Sequence, residues 1–123
     1  MMNESIFSIM ALFPMSSQYR IVYCTCPDTD HAGRLARGLV ENQLAACVNI
    51  VPGLTSVYPW QGKVETDSEV LLLIKTRADR YQAVETFLQT HHPYELPEVV
   101  AVSIDQGSKG YLDWISECLN ASR

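Results

Sequence analysis

Residues 46–76 run ACVNIVPGLTSVYPWQGKVETDSEVLLLIKT, and this stretch decides the fold. Ala46 to Tyr58 is rich in β-branched residues but is interrupted by Pro52-Gly53. Because proline cannot donate to a ladder and glycine frees the backbone, this pattern predicts a strand with a bulge. Val70 to Ile74 is an unbroken apolar run, typical of a central strand buried on both faces. With a turn at Trp60–Lys63 between them, these strands predict a long hairpin.

Strand and helix patterns alternate on either side of this hairpin. Aromatic and β-branched residues predict strands, and apolar residues three and four apart predict helices. Before the hairpin we predict a strand over Tyr19–Cys26 and a helix from the Asp28–Asp30 caps to about Gln43. After it we predict a helix from Arg77 to Gln89, a strand over Val99–Ile104, a turn over Gly107–Gly110 and a closing helix over Tyr111–Leu119.

The predicted order is β-α-β-β-α-β-α. Two βαβ-like halves around one antiparallel sheet give an α+β, ferredoxin-like βαββαβ sandwich with a long central hairpin and a C-terminal helix. The hairpin is longer than a single sheet requires, and its exposed edges favour pairing with another chain. We therefore expect a homo-oligomer.

The chain has 123 residues, the usual size of one domain. We assign residues 1–18 to an N-terminal extension that we expect to be poorly ordered, and residues 19–120 to the domain. No Lys or Arg precedes the apolar stretch Ile6–Phe13, which is also too short to span a bilayer. We therefore expect a cytoplasmic protein with free thiols and no membrane partner.

The charge balance argues against a nucleic-acid partner. Nine Lys and Arg face fourteen Asp and Glu, for a formal net charge of -5. Affinity for nucleic acid rests on clustered basic residues that neutralise phosphates. No such cluster is present, because Lys75, Arg77 and Arg80 are scattered and offset by Glu69 and Asp79.

An ordered set of short segments across residues 19–120 resembles the CutA divalent-cation tolerance family. The segments are CTCPD from Cys24, LAACVN from Leu44, YPWQGKVE from Tyr58, LIKT from Leu73, HHPYELPE from His91 and YLDW from Tyr111. The resemblance implies a ferredoxin-like fold assembled as a tight, PII-like homotrimer. It also implies a non-enzymatic link to tolerance of copper and other divalent cations.

The metal ligands that this resemblance implies are Cys24, His91 and His92. A thiolate with imidazoles suits copper or zinc and excludes hard ions such as Mg²⁺. Cys26 lies two residues beyond Cys24, hence on the same strand face, although Pro27 could disturb a shared site. The competing interpretation makes Cys24 a buried apolar residue and the two histidines a polar helix end.

Two further sets of residues carry weaker expectations. We predict that Tyr58 and Trp60 lie at the trimer interface, because interfaces favour such aromatic residues. Lys75, Glu98 and Tyr111 could line a crevice between subunits that holds a small metabolite, as in a PII-like sensor. An acylphosphatase-like enzyme needs an Arg-bearing phosphate cradle in the first loop, and Cys26–Asp30 supplies acidic residues instead.

Overall fold

The computed structural model describes residues 18–121, which form four strands and three α-helices. The elements are β1 (Tyr19–Cys26), α1 (Thr29–Glu41), β2 (Cys47–Trp60), β3 (Lys63–Arg77), a 3-10 turn (Ala78–Arg80), α2 (Tyr81–His91), β4 (Val100–Ser103) and α3 (Lys109–Asn120). The predicted element order is confirmed. Apart from Gln18, the expected N-terminal extension lies outside the described residues.

The four strands form one antiparallel sheet in the order β2-β3-β1-β4. Each connection through a helix skips one position in the sheet: β3 lies between β1 and β2, and β1 lies between β3 and β4. This is the ferredoxin-like arrangement. β3 is hydrogen bonded to β2 on one side and to β1 on the other, so its predicted central position is confirmed.

The hairpin between β2 and β3 has the predicted irregularities. Its strands close at a turn where Gln61 and Gly62 take φ of 49° and 79°, as a type I′ turn requires. The register shifts between Val51 and Leu54, so the expected bulge falls at Pro52-Gly53. Both features occur at residue pairs that contain a glycine, which readily adopts backbone angles outside the strand region.

Helix starts follow local capping. The Asp28 carboxylate accepts a hydrogen bond from the His31 amide at 2.8 Å and opens α1. The Ser108 hydroxyl caps α3, so this helix begins at Lys109. The predicted turn over Gly107–Gly110 is therefore wrong at its second half, because Lys109 and Gly110 already belong to the first turn of the helix.

The two faces of the sheet are covered to different extents. α1 and α2 cover one face, where the core includes Val22, Leu39, Leu72, Ile74 and Leu88. α3 covers part of the opposite face through a second cluster, made of Tyr19, Ala46, Ile115 and Leu119.

Burial on both faces was expected for Val70–Ile74, and in a single chain this expectation is wrong. Val70, Leu72 and Ile74 are buried under the helices, whereas Leu71 and Leu73 are only half-buried. The reason is that α3 contacts only one end of the opposite face. Apolar side chains beyond it stay exposed, among them Val100 and Val102 of β4 and, on the hairpin, Val57, Trp60 and Val64.

Candidate metal centre

Cys24 and Cys26 lie on the same face of β1, because side chains of a strand alternate with a period of two. Both thiols face the layer of α1 and α2, and both residues are 0% exposed. β3 fixes their backbone, since Cys24 pairs with Leu72 and Cys26 with Val70. Pro27 therefore does not disturb the pair, because it lies beyond the end of the strand.

His92 is the third member of this cluster. It follows α2 directly and takes an extended conformation, as expected of a residue before proline. This turn directs its ring back to β1, where Nε2 lies 2.8 Å from the carbonyl oxygen of Thr25. The two sulfurs and an imidazole nitrogen of His92 all lie within 4.8 Å of one another.

Backbone groups determine the protonation of the His92 ring. The Tyr94 amide donates to Nδ1 at 3.0 Å, so Nδ1 carries no proton. The Thr25 carbonyl can only accept, so Nε2 carries the proton and donates it. Burial lowers the pKa of His92 below its ordinary value of 6.5. His92 is therefore a neutral imidazole whose two nitrogens both have backbone partners.

The two thiols affect each other's ionisation. The hydrogen bond between Cys24 and Cys26 lowers the pKa of Cys26. The same hydrogen bond, followed by burial and by the nearby negative charges of Cys26, Glu98 and Glu69, raises the pKa of Cys24. Cys26 is thus the sulfur that loses its proton first, and the Cys24 thiol donates to the carbonyl oxygen of Thr25 at 3.9 Å. All four cysteines of the chain are free thiols.

A phenol and a carboxylate adjoin the cluster. The Tyr94 hydroxyl donates to Oε2 of Glu69 at 2.9 Å, and the rings of Tyr94 and His92 lie 4.8 Å apart. Burial, and then the hydrogen bond to Glu69, raise the pKa of Tyr94. Together these contacts fix the loop after α2 against β1 and β3. No local pattern predicts Glu69 or Tyr94 here, because each lies far along the chain from its partner.

His91 does not join Cys24 in the structure. Its side chain is exposed, and its ring stacks against Phe87 with a centroid separation of 4.3 Å. It lines a different cleft of about 370 Å³, together with His31 and Arg34 of α1. Adjacent residues at a helix end point in different directions, so only His92 turns toward the thiols.

The other predicted residues lie away from this cluster, except Glu98, whose negative charge contributes to the raised pKa of Cys24. The Lys75 ammonium lies 5.6 Å from the centroid of the Tyr111 ring, on the face of the sheet that carries α3. Among residues 18–121, Glu98 forms no ion pair with Lys75; its charge acts on Cys24 instead. On the hairpin, Tyr58 donates to Asp67 and Trp60 is 59% exposed. Their roles in a crevice or an interface stay predictions.

The donor set fits a soft metal ion. Two thiols and an imidazole are ligands for copper and zinc rather than for Mg²⁺ or Ca²⁺. A sulfur ligand lies about 2.3 Å from such an ion, so two sulfurs that share one must be no more than about 4.6 Å apart. The observed limit of 4.8 Å between the ligand atoms comes close to this value.

The fold and this buried cluster define a small α+β domain with a candidate soft-metal centre. No helix within residues 18–121 is long and apolar enough to cross a membrane. The CutA1 divalent ion tolerance protein family matches residues 20–118. The chain belongs to this family.

Individual relatives agree with this assignment. The divalent-cation tolerance protein CutA of Thermus thermophilus is 48% identical over 97 residues, which cover 79% of this chain and 94% of that protein. The CutA homolog of Xenopus laevis is 47% identical over 103 residues, covering 84% and 68%. The chain spans only about half the length of the mouse and human relatives, 54% and 53%.

A crystal structure from the same family supports the fold. CutA of the bacterium Xylella fastidiosa superposes with a TM-score of 0.83 at 45% sequence identity, over 85% of this chain and 100% of that one. The predicted ferredoxin-like α+β fold and the predicted family are both confirmed.

Proposed function

We propose that this protein contributes to divalent-cation tolerance by binding a soft metal ion, copper or zinc, without catalysing a reaction. One observation carries the proposal: the buried sulfurs of Cys24 and Cys26 and an imidazole nitrogen of the buried His92 lie within 4.8 Å of one another. The names of its relatives point to the same process. Free thiols are kept reduced in the cytosol, where we expect the protein to act.

Metal binding at this cluster requires thiolates. The protons displaced from Cys24 and Cys26 leave with binding, so apparent affinity falls as the pH falls. The raised pKa of Cys24 strengthens this dependence, because its thiol resists ionisation until an ion is present. We therefore expect measurable binding at neutral pH only for ions that bind sulfur tightly.

We further propose that the protein is a homotrimer. The sheet face that α3 leaves open carries apolar side chains, and the hairpin adds Val64, which is 75% exposed, and Trp60. Soluble monomers rarely expose large contiguous apolar patches. Further copies of the chain, placed against this face and around the hairpin, would cover both. Tyr58 and Trp60 are the aromatic contacts that we expect there.

A competition titration with Cu(I) and with Zn(II) under reducing conditions tests metal binding. We expect Cys24→Ser to weaken binding more than about tenfold, since even outer-shell changes cost this much. Cys47→Ser is the matched control. Cys47 is also a free thiol, but it lies on the opposite face of the sheet, because its neighbour Val48 is the residue that packs on the core under the helices. Weak binding by the wild type, unchanged in Cys24→Ser, would contradict the proposal.

A second candidate function is that of a PII-like sensor that binds a small anionic metabolite between subunits. The observation in its favour is Lys75, whose ammonium lies over Tyr111 and forms no ion pair within the described part of the chain. Trp114 stacks near the same tyrosine, with ring centroids 5.5 Å apart. The ammonium group supplies positive charge for such an anion, and the two rings supply surfaces against which a planar group can stack.

A further inference from the structure

We propose that the metal ion is Cu(I), that the sulfurs of Cys24 and Cys26 are its only side-chain ligands from this chain, and that His92 is a positioning residue. This inference rests on the proposed function, because it names the ion and the ligands of the same cluster. It departs from the ligand set Cys24, His91 and His92 that the family resemblance implies.

The exclusion of His92 follows from its hydrogen bonds. A metal ligand needs a free lone pair on one ring nitrogen. On His92 the Nδ1 lone pair accepts the Tyr94 amide, and Nε2 carries a proton that it donates to the Thr25 carbonyl. Ligation through either nitrogen removes a partner from a backbone group in a largely buried site, which is costly.

His91 is excluded by its position. Its ring stacks on Phe87 and faces the cleft between α1 and α2, so it is not part of the thiol cluster. Within residues 18–121, His92 is the only other donor of the Cys, His, Asp and Glu types that groups with both sulfurs. Of the two carboxylates whose charge acts on Cys24, Glu69 already accepts the hydrogen bond of Tyr94, and Glu98 does not group with the two sulfurs.

Two thiolates without further protein ligands select the ion. Zinc in proteins is held by three or four side chains, which this site does not supply. Thiolates favour soft Cu(I), whereas divalent ions with harder character prefer imidazole or carboxylate. The two sulfurs are on a strand paired by hydrogen bonds, so they are already close together before an ion arrives.

The His92 ring acts on the thiols through the backbone. Thr25, whose carbonyl accepts from Nε2, is the residue between the two cysteines. The hydrogen bond therefore holds the segment that sets the separation of the two sulfurs. The bond from Tyr94 anchors the loop after α2 at the same place, next to the fully buried thiols.

Nitrogen-15 NMR of the imidazole rings in the wild-type protein tests this assignment directly. Spectra are recorded without metal and with one equivalent of Cu(I), which is diamagnetic. We expect one ion per chain, with Nε2 of His92 still protonated and both ring resonances close to their metal-free positions. A large shift of either His92 nitrogen, typical of ligation, would overturn the proposal.

Three variants separate ligands from the positioning residue. Cys24→Ser and Cys26→Ser should each weaken Cu(I) binding more than about a hundredfold, beyond the usual range for outer-shell groups. His92→Gln, which keeps an N–H donor, should weaken it by less than about a hundredfold, within the range for outer-shell groups. If His92→Gln loses as much as the cysteine variants, or Cys26→Ser binds like wild type, the inference is wrong.

Failure of the inference is distinct from failure of the proposed function. A wild-type protein that binds neither Cu(I) nor Zn(II) would overturn both, and one that binds Zn(II) but no Cu(I) would overturn only the inference. A wild-type protein that binds Cu(I) with a shifted His92 nitrogen would overturn only the ligand assignment. Because the NMR measurement needs no substitution, it stays decisive even where a cysteine variant fails to fold.

Discussion

The hydroxyl of Thr76 shows how much a single buried contact contributes to this fold. Thr76 is fully buried on β3, and its Oγ1 donates to the carbonyl of Leu44 at 2.6 Å. We expect Thr76→Val to lower the free energy of unfolding by about 1–3 kcal/mol, because the carbonyl loses its partner inside the protein. Urea unfolding at a fixed protein concentration measures the difference.

Thr90→Val is the matched control for this substitution. The Thr90 hydroxyl also donates to a backbone carbonyl, that of Thr86 at 2.8 Å, but Thr90 is exposed. Water can replace the lost hydroxyl there, so we expect a change of no more than about 0.5 kcal/mol. Equal effects at the two positions would show that burial of the Leu44 carbonyl does not determine the cost.

Residues of the site could be predicted only where a local rule applies. The spacing of Cys24 and Cys26 placed both thiols on one face of a strand, and Pro93 indicated that His92 leaves the helix. The contact between His92 and Thr25 spans 67 positions along the chain. No local pattern predicts that His92, rather than His91, contacts Thr25, because the direction of each ring is set by how α2 packs on the sheet.

At the scale of elements, two glycines of α1 have opposite environments. A Cβ at Gly38 would lie 2.5 Å from Cζ of Phe87 on α2, whereas a Cβ at Gly33 would meet nothing within 4 Å. We expect Gly33→Ala to stabilise the protein by about 0.5–1 kcal/mol, since alanine favours a helix over glycine by this amount.

Gly38→Ala should have the opposite effect. The same helix preference is outweighed by overlap with Phe87, and overpacking costs about 1–3 kcal/mol. We expect a net loss of about 1 kcal/mol, measured by urea unfolding beside Gly33→Ala. Stabilisation by both substitutions would mean that Phe87 moves away without cost and that α1 and α2 do not depend on this close contact.

Element boundaries followed from the sequence wherever a residue restricts the backbone. Pro52-Gly53 marked the bulge, Gly62 the hairpin turn, and Pro93 the end of α2. The start of α3 was placed two residues late, because the Ser108 cap outweighs the turn preference of Gly110. The burial of Val70–Ile74 was overestimated, since a run of apolar residues does not specify which element covers each face.

At the scale of the whole molecule, the partly covered sheet is the reason to expect a trimer. The antiparallel order β2-β3-β1-β4 leaves an apolar face and a long hairpin with partial cover. Strand edges and apolar faces of this kind are normally covered by other chains. The long hairpin in the sequence predicted that other chains cover its edges. The number of copies depends on contacts between chains, and the sequence of one chain does not reveal those contacts.

Native mass spectrometry of the protein loaded with Cu(I) tests the central claim most directly. We predict an assembly of three chains with three copper ions, one for each pair of Cys24 and Cys26. The double variant Cys24→Ser/Cys26→Ser should remain a trimer and carry no copper, because the open sheet face is unchanged. A monomeric wild type, or copper retained by the double variant, would contradict the account.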